Sequence, residues 1–237
     1  MKKALFAVLF CFAVLASGAQ KLINDDMVQV RQVPTFHSIR VGGGIDLYLS
    51  MGDEAVAVSA RTEEYRSRIR TTVENGVLRI WYDWKEMGFV VNGNKALRAY
   101  VSVKTLSQLS GSGGSDIFVE GELRSASLKL DVSGGSDFRG KVAVDQLDAT
   151  ASGGSDINVS GTAGSLKVRA SGGSDFRGFE LTADACTADA SGGSDVHVSV
   201  NREIKAHASG GSDVHYRGNP TVVESHKSGG SDIRKRG

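Results

Sequence analysis

The chain has 237 residues, with 28 Lys+Arg against 27 Asp+Glu for a net charge of +1. This balance excludes a nucleic-acid binder that works by backbone charge, and a polybasic membrane surface, because no basic excess exists to displace counterions. Hydrophobic residues at 40% can form a core, and 30 Gly with only 2 Pro and no G-X-Y period exclude collagen.

Residues 1–19 read as a secretory signal peptide. Lys2 and Lys3 supply the positive start, Ala4 to Ala16 the apolar run, and Ser17-Gly18-Ala19 the small residues before a cut after Ala19. Leu9-Phe10 precede Cys11, where a lipidation signal requires small residues, so Cys11 leaves with the run. The exported chain then keeps Cys186 as its one thiol and forms no internal disulfide. No later apolar stretch approaches the ~18 residues of a membrane span.

Residues 20–29 are expected to be a flexible lead. Residues 30–111 form a β-rich N-terminal region. Phe36–Val41, Ile45–Ser50, Ala55–Ala60, Val77–Trp84 and Leu97–Val103 alternate or are rich in β-formers. Asn75-Gly76 between Ile69–Val73 and Val77–Tyr82 predicts a tight hairpin. Glu63–Arg70 predicts a short helix. Trp81, Tyr82, Trp84 and Tyr100 concentrate here, either to cap a coil end or to present a carbohydrate-stacking surface. Gly42-Gly43-Gly44 is no phosphate loop, since no Lys-Ser/Thr follows.

From residue 112 onward one string dominates. S-G-G-S-D occurs seven times, with its aspartates (Asp116, Asp137, Asp156, Asp175, Asp195, Asp213, Asp232) 21, 19, 19, 20, 18 and 19 residues apart. Gly43-Gly44-Ile45-Asp46 resembles a degenerate earlier copy. An apolar residue follows each Asp: Ile117, Phe138, Ile157, Phe176, Val196, Val214 and Ile233. Ahead of each corner, positions of one parity read Leu128, Leu147, Leu166, Cys186, Ile204, Val223, then Leu130, Ala149, Val168, Ala188, Ala206, Ser225, then Val132, Ala151, Ala170, Ala190, Ala208, Lys227. Nineteen residues with short alternating strands and a glycine corner predict one turn of an all-β, right-handed parallel β-solenoid. A propeller blade needs roughly 40 residues and is excluded by the period. Departures from 19 are expected in loops outside the core.

The repetition implies ladders of Ser and Asp down the solenoid. Aspartates stacked about 4.8 Å apart would repel, so backbone N–H groups, hydroxyls, cations or water must offset them. Two positions after each Asp, on the same strand face, the column reads Phe118, Arg139, Asn158, Arg177, His197, His215 and Arg234. It is expected to screen the acidic column and to present a polar, ligand-facing ladder. Calcium is the competing reading of the Asp column. The run departs from the G-G-x-G-x-D pattern of Ca²⁺-binding β-rolls in lacking the third Gly.

His197 and His215 fall in one column, and His207 and His226 in another. The first pair, with Asp195 and Asp213, is either a pair of exposed rungs or a transition-metal site. Cys186 stands in the apolar column and reads as an inert small hydrophobe. No G-x-S-x-G elbow occurs. Identical copies suit a scaffold, whereas catalysis needs one unlike constellation. No catalytic residue, metal or cofactor is expected.

Phe36-His37-Ser38-Ile39-Arg40-Val41-Gly42-Gly43-Gly44-Ile45-Asp46-Leu47-Tyr48-Leu49, then Gly52-Asp53-Glu54, resembles the opening of the secreted head GIN domain family, known as auto-transporter adhesins. Asn75-Gly76-Val77-Leu78-Arg79-Ile80, the S-G-G-S-D coils and Tyr216-Arg217-Gly218-Asn219-Pro220 extend the likeness over about residues 30–237. Asp46 replaces the Asn of the family's third motif letter. The resemblance implies a right-handed β-helix-like fold outside the cytoplasm, in the periplasm, at the cell surface or beyond. No translocating barrel follows the coils, so self-export is not expected.

The sequence therefore favours a non-enzymatic exported scaffold whose partner is a glycan or cell-envelope component. An enzyme acting on polysaccharide and a structural periplasmic protein that assembles edge to edge remain as alternatives. Arg234-Lys235-Arg236 blunts the last edge against the latter. With no calcium in the Asp column, the melting temperature is expected to stay unchanged on adding chelator or millimolar calcium, as read by circular dichroism.

Overall fold

The computed structural model describes residues 25–84 and 94–237. The expected signal peptide and residues 20–24 lie outside the described residues. Among the described residues the elements are β1 (Gln29–Val30), β2 (Ser38–Gly42), β3 (Asp46–Met51), β4 (Ala55–Ser59), α1 (Glu63–Ser67), β5 (Ile69–Glu74), β6 (Val77–Tyr82), β7 (Arg98–Val103) and β8 (Gln108–Ser112). There follow β9 (Ile117–Ser133), β10 (Phe138–Ser152), β11 (Ile157–Ser171), β12 (Phe176–Ser191), β13 (Asp195–Ser209), β14 (Asp213–Arg217), β15 (Thr221–Ser228) and β16 (Asp232–Lys235).

The repeats stack as expected. Strands β9 to β13 pair parallel, each with the next, and the seven corners fall in register. Phe138 pairs with Ile157, Ile157 with Phe176 and Phe176 with Val196, giving one column of fully buried side chains. Leu128, Leu147, Leu166, Cys186 and Ile204 form a second buried column. Ala149, Ala151, Ala170, Ala188 and Ala190 fill the interior positions ahead of the corner with small buried side chains. The result is a β-solenoid with a continuous apolar interior, in which each coil buries its face only against its neighbours.

Each residue of the corner string has a task. Ser115, Ser136, Ser155, Ser174, Ser194 and Ser212 point inward and are fully buried. From Ser136 onward, the hydroxyl oxygen accepts the backbone N–H of the serine one coil earlier: Ser136 N–H to Ser155 Oγ at 3.1 Å, Ser155 to Ser174 at 3.1 Å, Ser174 to Ser194 at 3.1 Å. The aspartates bond in the other direction. Asp116 Oδ1 accepts from Asp137 N–H at 3.0 Å, Asp137 from Asp156 at 3.1 Å, and Asp156 from Asp175 at 3.2 Å. The backbone thus supplies the donors that offset stacking of the carboxylates. Gly153 and Gly154 hold φ of 65° and 73°, as their counterparts do in the other copies except Gly230. A Cβ on Gly153 would stand 3.5 Å from Gly134 N, whereas one on Gly154 would meet only open space.

The expectation of loops outside the core needs correction. The extra residues form β-bulges inside continuous strands. Pairing shifts between Arg139 and Lys141, where β9 carries Val119–Gly121 against Gly140, and again between Asn158 and Gly161, where β12 carries Phe179 and Glu180. A bulge absorbs an added residue without breaking the coil contacts on either side. A second correction concerns Val223. A bulge in β15 places Val222, not Val223, opposite Ile204, and both valines are exposed. Ser225 and Lys227 follow in the column where Ala206 and Ala208 are buried, so the apolar interior fades in this coil.

Before the repeats, stacking order departs from chain order. The coil of β2 and β3 lies between the coil of β6 and β7 on one side and that of β8 and β9 on the other. Gly42 pairs with Ser112, and Ile45 N–H donates to Ser115 Oγ at 2.9 Å, so the degenerate copy does stack on the first full one. Antiparallel β4 and β5 cover the outer side of β7 and β6, and β1 pairs β4. Asn75 (φ 51°) and Gly76 (φ 74°) make the expected tight turn between β5 and β6. The helix is shorter than expected: Thr62 caps it, and it stops at Arg68 because Ile69 enters β5 and the core. Tyr82 is buried beneath this end, with Trp84 edge-on at 4.7 Å and half exposed.

The corner geometry orders three substitutions in urea unfolding. Gly154→Ala should cost ~1 kcal/mol, from its φ alone. Ser155→Ala should cost about 1–3 kcal/mol, because the buried Ser136 N–H loses its acceptor. Gly161→Ala, whose Cβ would lie 2.0 Å from Val142 O at φ +108°, should be the worst, on the order of 3 kcal/mol or more.

Candidate functional site: a polar and aromatic groove along the solenoid

On the strand that follows each corner, residues alternate between the core and the outer face. The register places the expected ladder residues in one outward column, and extends it. In spatial order the column reads Tyr100, Tyr48, Phe118, Arg139, Asn158, Arg177, His197, His215 and Arg234. Tyr48 stacks on Tyr100 and on Phe118, with both ring pairs 5.3 Å apart at 23°. Three aromatic rungs thus lead into the polar ones. Sequence reasoning assigned no ladder position to Tyr48 or Tyr100. Tyr48 was within reach, standing two residues after Asp46 of the degenerate copy. Tyr100 was not, because its coil stacks out of chain order.

Along this column lies a groove of about 830 Å³, lined by Phe118, Arg139, Asn158, Arg177 and His197 of successive rungs and by Phe179. Phe179 was also unassigned; the bulge in β12 carries it there. Arg217 lies over its ring at 4.0 Å, and His197 meets it edge-on at 4.9 Å. Glu180 lines the same end.

Screening of the acidic column is uneven. Arg177 forks between Asp156 and Asp175, at 2.6 Å to each, and its pKa rises through the hydrogen bond to Asp156 despite partial burial. Arg234 pairs with Asp232. Arg139 holds the same register position as Arg177, yet makes no ion pair or hydrogen bond among the described residues. Asp195 and Asp213 spend an oxygen on the next coil's N–H, as the other aspartates do.

The reading of His197 and His215 as two exposed rungs is corrected by packing. His197 is half-buried and His215 is buried, 8% exposed, with Arg236 Nη2 3.3 Å from its Nε2. Their rings lie 5.1 Å apart, and both Nδ1 atoms are buried without a hydrogen-bond partner among the described residues. Burial, then His215, pushes the His197 pKa down. No group of three or more metal-ligating side chains is assembled among the described residues. Cys186 is buried, and desolvation raises its pKa to about 12, which leaves its thiol un-ionised.

A second, narrower concavity of about 520 Å³ runs along the strands that lead into the corners. Lys129, Lys167 and Lys205 alternate along it with Asp148 and Thr187. Nearby, His207 is held between Asp189 (2.8 Å) and Glu224 (3.2 Å), which raise its pKa in that order.

The two histidines couple to stability with opposite signs. His197, lowered in the folded state, favours folding above the unfolded value of about 6.5, and this is lost as pH falls through its folded value. His207, raised, favours folding below about 6.5, and this is lost as pH rises through its folded value. An NMR titration should therefore find His197 titrating at clearly lower pH than His207, with His207→Asn removing the upper transition alone.

Comparison with known proteins agrees with this architecture. A search of the curated proteins finds no match. Among solved structures, a "putative adhesin" from Bacteroides fragilis superposes with a TM-score of 0.81 at 20% identity, covering 89% of this chain and 96% of that one. A "putative lipid binding protein" from Parabacteroides distasonis gives 0.66 at 18% identity, over 89% and 96%. A "putative adhesin" from Parabacteroides merdae gives 0.68 at 15%, over 89% and 95%. At these identities the likeness is one of fold. The sequence itself matches the family described as "Putative auto-transporter adhesin, head GIN domain" across residues 35–220, and the chain belongs to that family.

Proposed function

We propose that this protein is an exported, non-enzymatic scaffold that adheres to a glycan of the cell envelope through the groove between Phe118 and Phe179. The observation that carries the reading is a groove lined by the aromatic rings of Phe118 and Phe179 together with amide, guanidinium and imidazole groups. Sugars present apolar C–H faces and a rim of hydroxyls, and such a site matches both. The signal-like N-terminus and the adhesin family support placement outside the cytoplasm. Among the described residues, no helix is long and apolar enough to cross a membrane.

A polysaccharide hydrolase on the same scaffold is less favoured. Paired-carboxylate hydrolysis needs two acids roughly 5–9 Å apart across the scissile bond. Of the side chains that line the groove, only Glu180 carries a carboxylate.

A glycan array followed by calorimetry tests the proposal. Binding should be lost in Phe118→Ala and in Phe179→Ala, while unfolding stays cooperative and incubation with the bound glycan releases no reducing ends. A blank array, or capture by lipid vesicles alone, would sink it.

A further inference from the structure

We infer that the sugar taken by this groove is acidic, and that Arg139 is the residue that reads its carboxylate. The inference rests on the glycan-binding reading above and narrows it to uronate-bearing chains.

The argument begins with what each cation of the column already does. Arg177 has its guanidinium spread over two carboxylates, and Arg234 is paired with Asp232. Arg139 is exposed, lines the groove and has no partner among the described residues, although its backbone is in strict register with the others. Its open fork of donors matches a planar carboxylate, which it can hold by two parallel hydrogen bonds.

Its neighbours narrow the ligand further. One rung away, about 4.8 Å along the solenoid, Phe118 ends the aromatic stack. Tyr48 lies against Phe118 from the preceding rung, and Phe118 also lines the groove. A pyranose seated on Phe118 has its ring substituents within reach of the Arg139 rung. Asn158, one rung further, makes no side-chain hydrogen bond among the described residues and offers an amide to the adjacent hydroxyls. Asp116 and Asp137 stand two residues before Phe118 and Arg139 on the same outward face, and the backbone N–H that each accepts at Oδ1 offsets part of its charge. At the far end Glu180 disfavours an anion. The acid group therefore belongs at the Phe118 end and a neutral residue at the Phe179 end.

Calorimetry on the exported chain tests this with three probes: an oligogalacturonate, its fully methyl-esterified form, and a sulfated neutral oligosaccharide. The oligogalacturonate should bind at least about tenfold more tightly than its ester, a ratio that falls with added salt. Arg139→Gln should erase the preference for acid over ester, and Arg139→Lys should restore part of it. Lys167→Gln, in the other concavity, should change nothing. Equal affinity for acid and ester, tighter binding of the sulfated probe, or an unaltered preference in Arg139→Gln overturns the inference. If those results come with binding that still disappears in Phe118→Ala, only the acidic reading fails. If no probe binds and the array is blank, the glycan reading fails with it.

Discussion

The molecule depends on one exchange at the corner. The buried serine of each coil accepts a backbone N–H from the coil before, and its aspartate accepts one from the coil after. Both side chains therefore satisfy donors that a sharp turn would otherwise bury unpaired. The two bonds run in opposite directions, so every interior corner is tied on both sides. Both glycines hold the left-handed φ that the turn requires, and a Cβ on the first would already touch the preceding corner. Any change in this string is repeated in its consequences along the stack, because each corner is also the partner of its neighbour.

This arrangement holds the interior in register and leaves the outer face free to vary. The buried columns are nearly monotonous, with Ile, Phe and Val after the corner and Leu or Ala ahead of it. The outward column passes from aromatic to guanidinium to amide to imidazole over successive rungs. The groove lies where the repeat is least regular. The bulge of β12 that adds Phe179 and Glu180 builds one of its ends, and Val119 of the β9 bulge lines the other. Regular coils thus supply a rigid surface, and the departures from the period supply its relief.

The ends of the stack are handled differently. At the first end, antiparallel strands and a short helix cover the outermost coil, with Tyr82 buried beneath them. Toward the other end, the apolar columns give way to Ser225 and Lys227, and Val222 and Val223 stand exposed. Arg234 and Lys227 both lie against Asp232 there, which keeps charge along that edge.

Much of this was legible without coordinates. Seven copies of S-G-G-S-D at a period near 19, each followed by an apolar residue, determine the coil, the corner, the buried columns and the column that faces outward. They do so because parallel stacking converts sequence period into spatial alignment. The tight turn at Asn75-Gly76 and the kinship of Gly43–Asp46 with the later corners were equally local, and so readable. Tertiary structure alone decided the rest. It inserted the coil of β2 and β3 between two later ones, which brought Tyr48 and Tyr100 onto Phe118. It resolved the extra residues as bulges, which swung Phe179 into the groove and moved Val223 out of its column. It paired Arg177 but not Arg139, and buried His215 beneath Arg236. Each of these depends on which segments become neighbours across long stretches of chain, and the local run of residues does not contain that information.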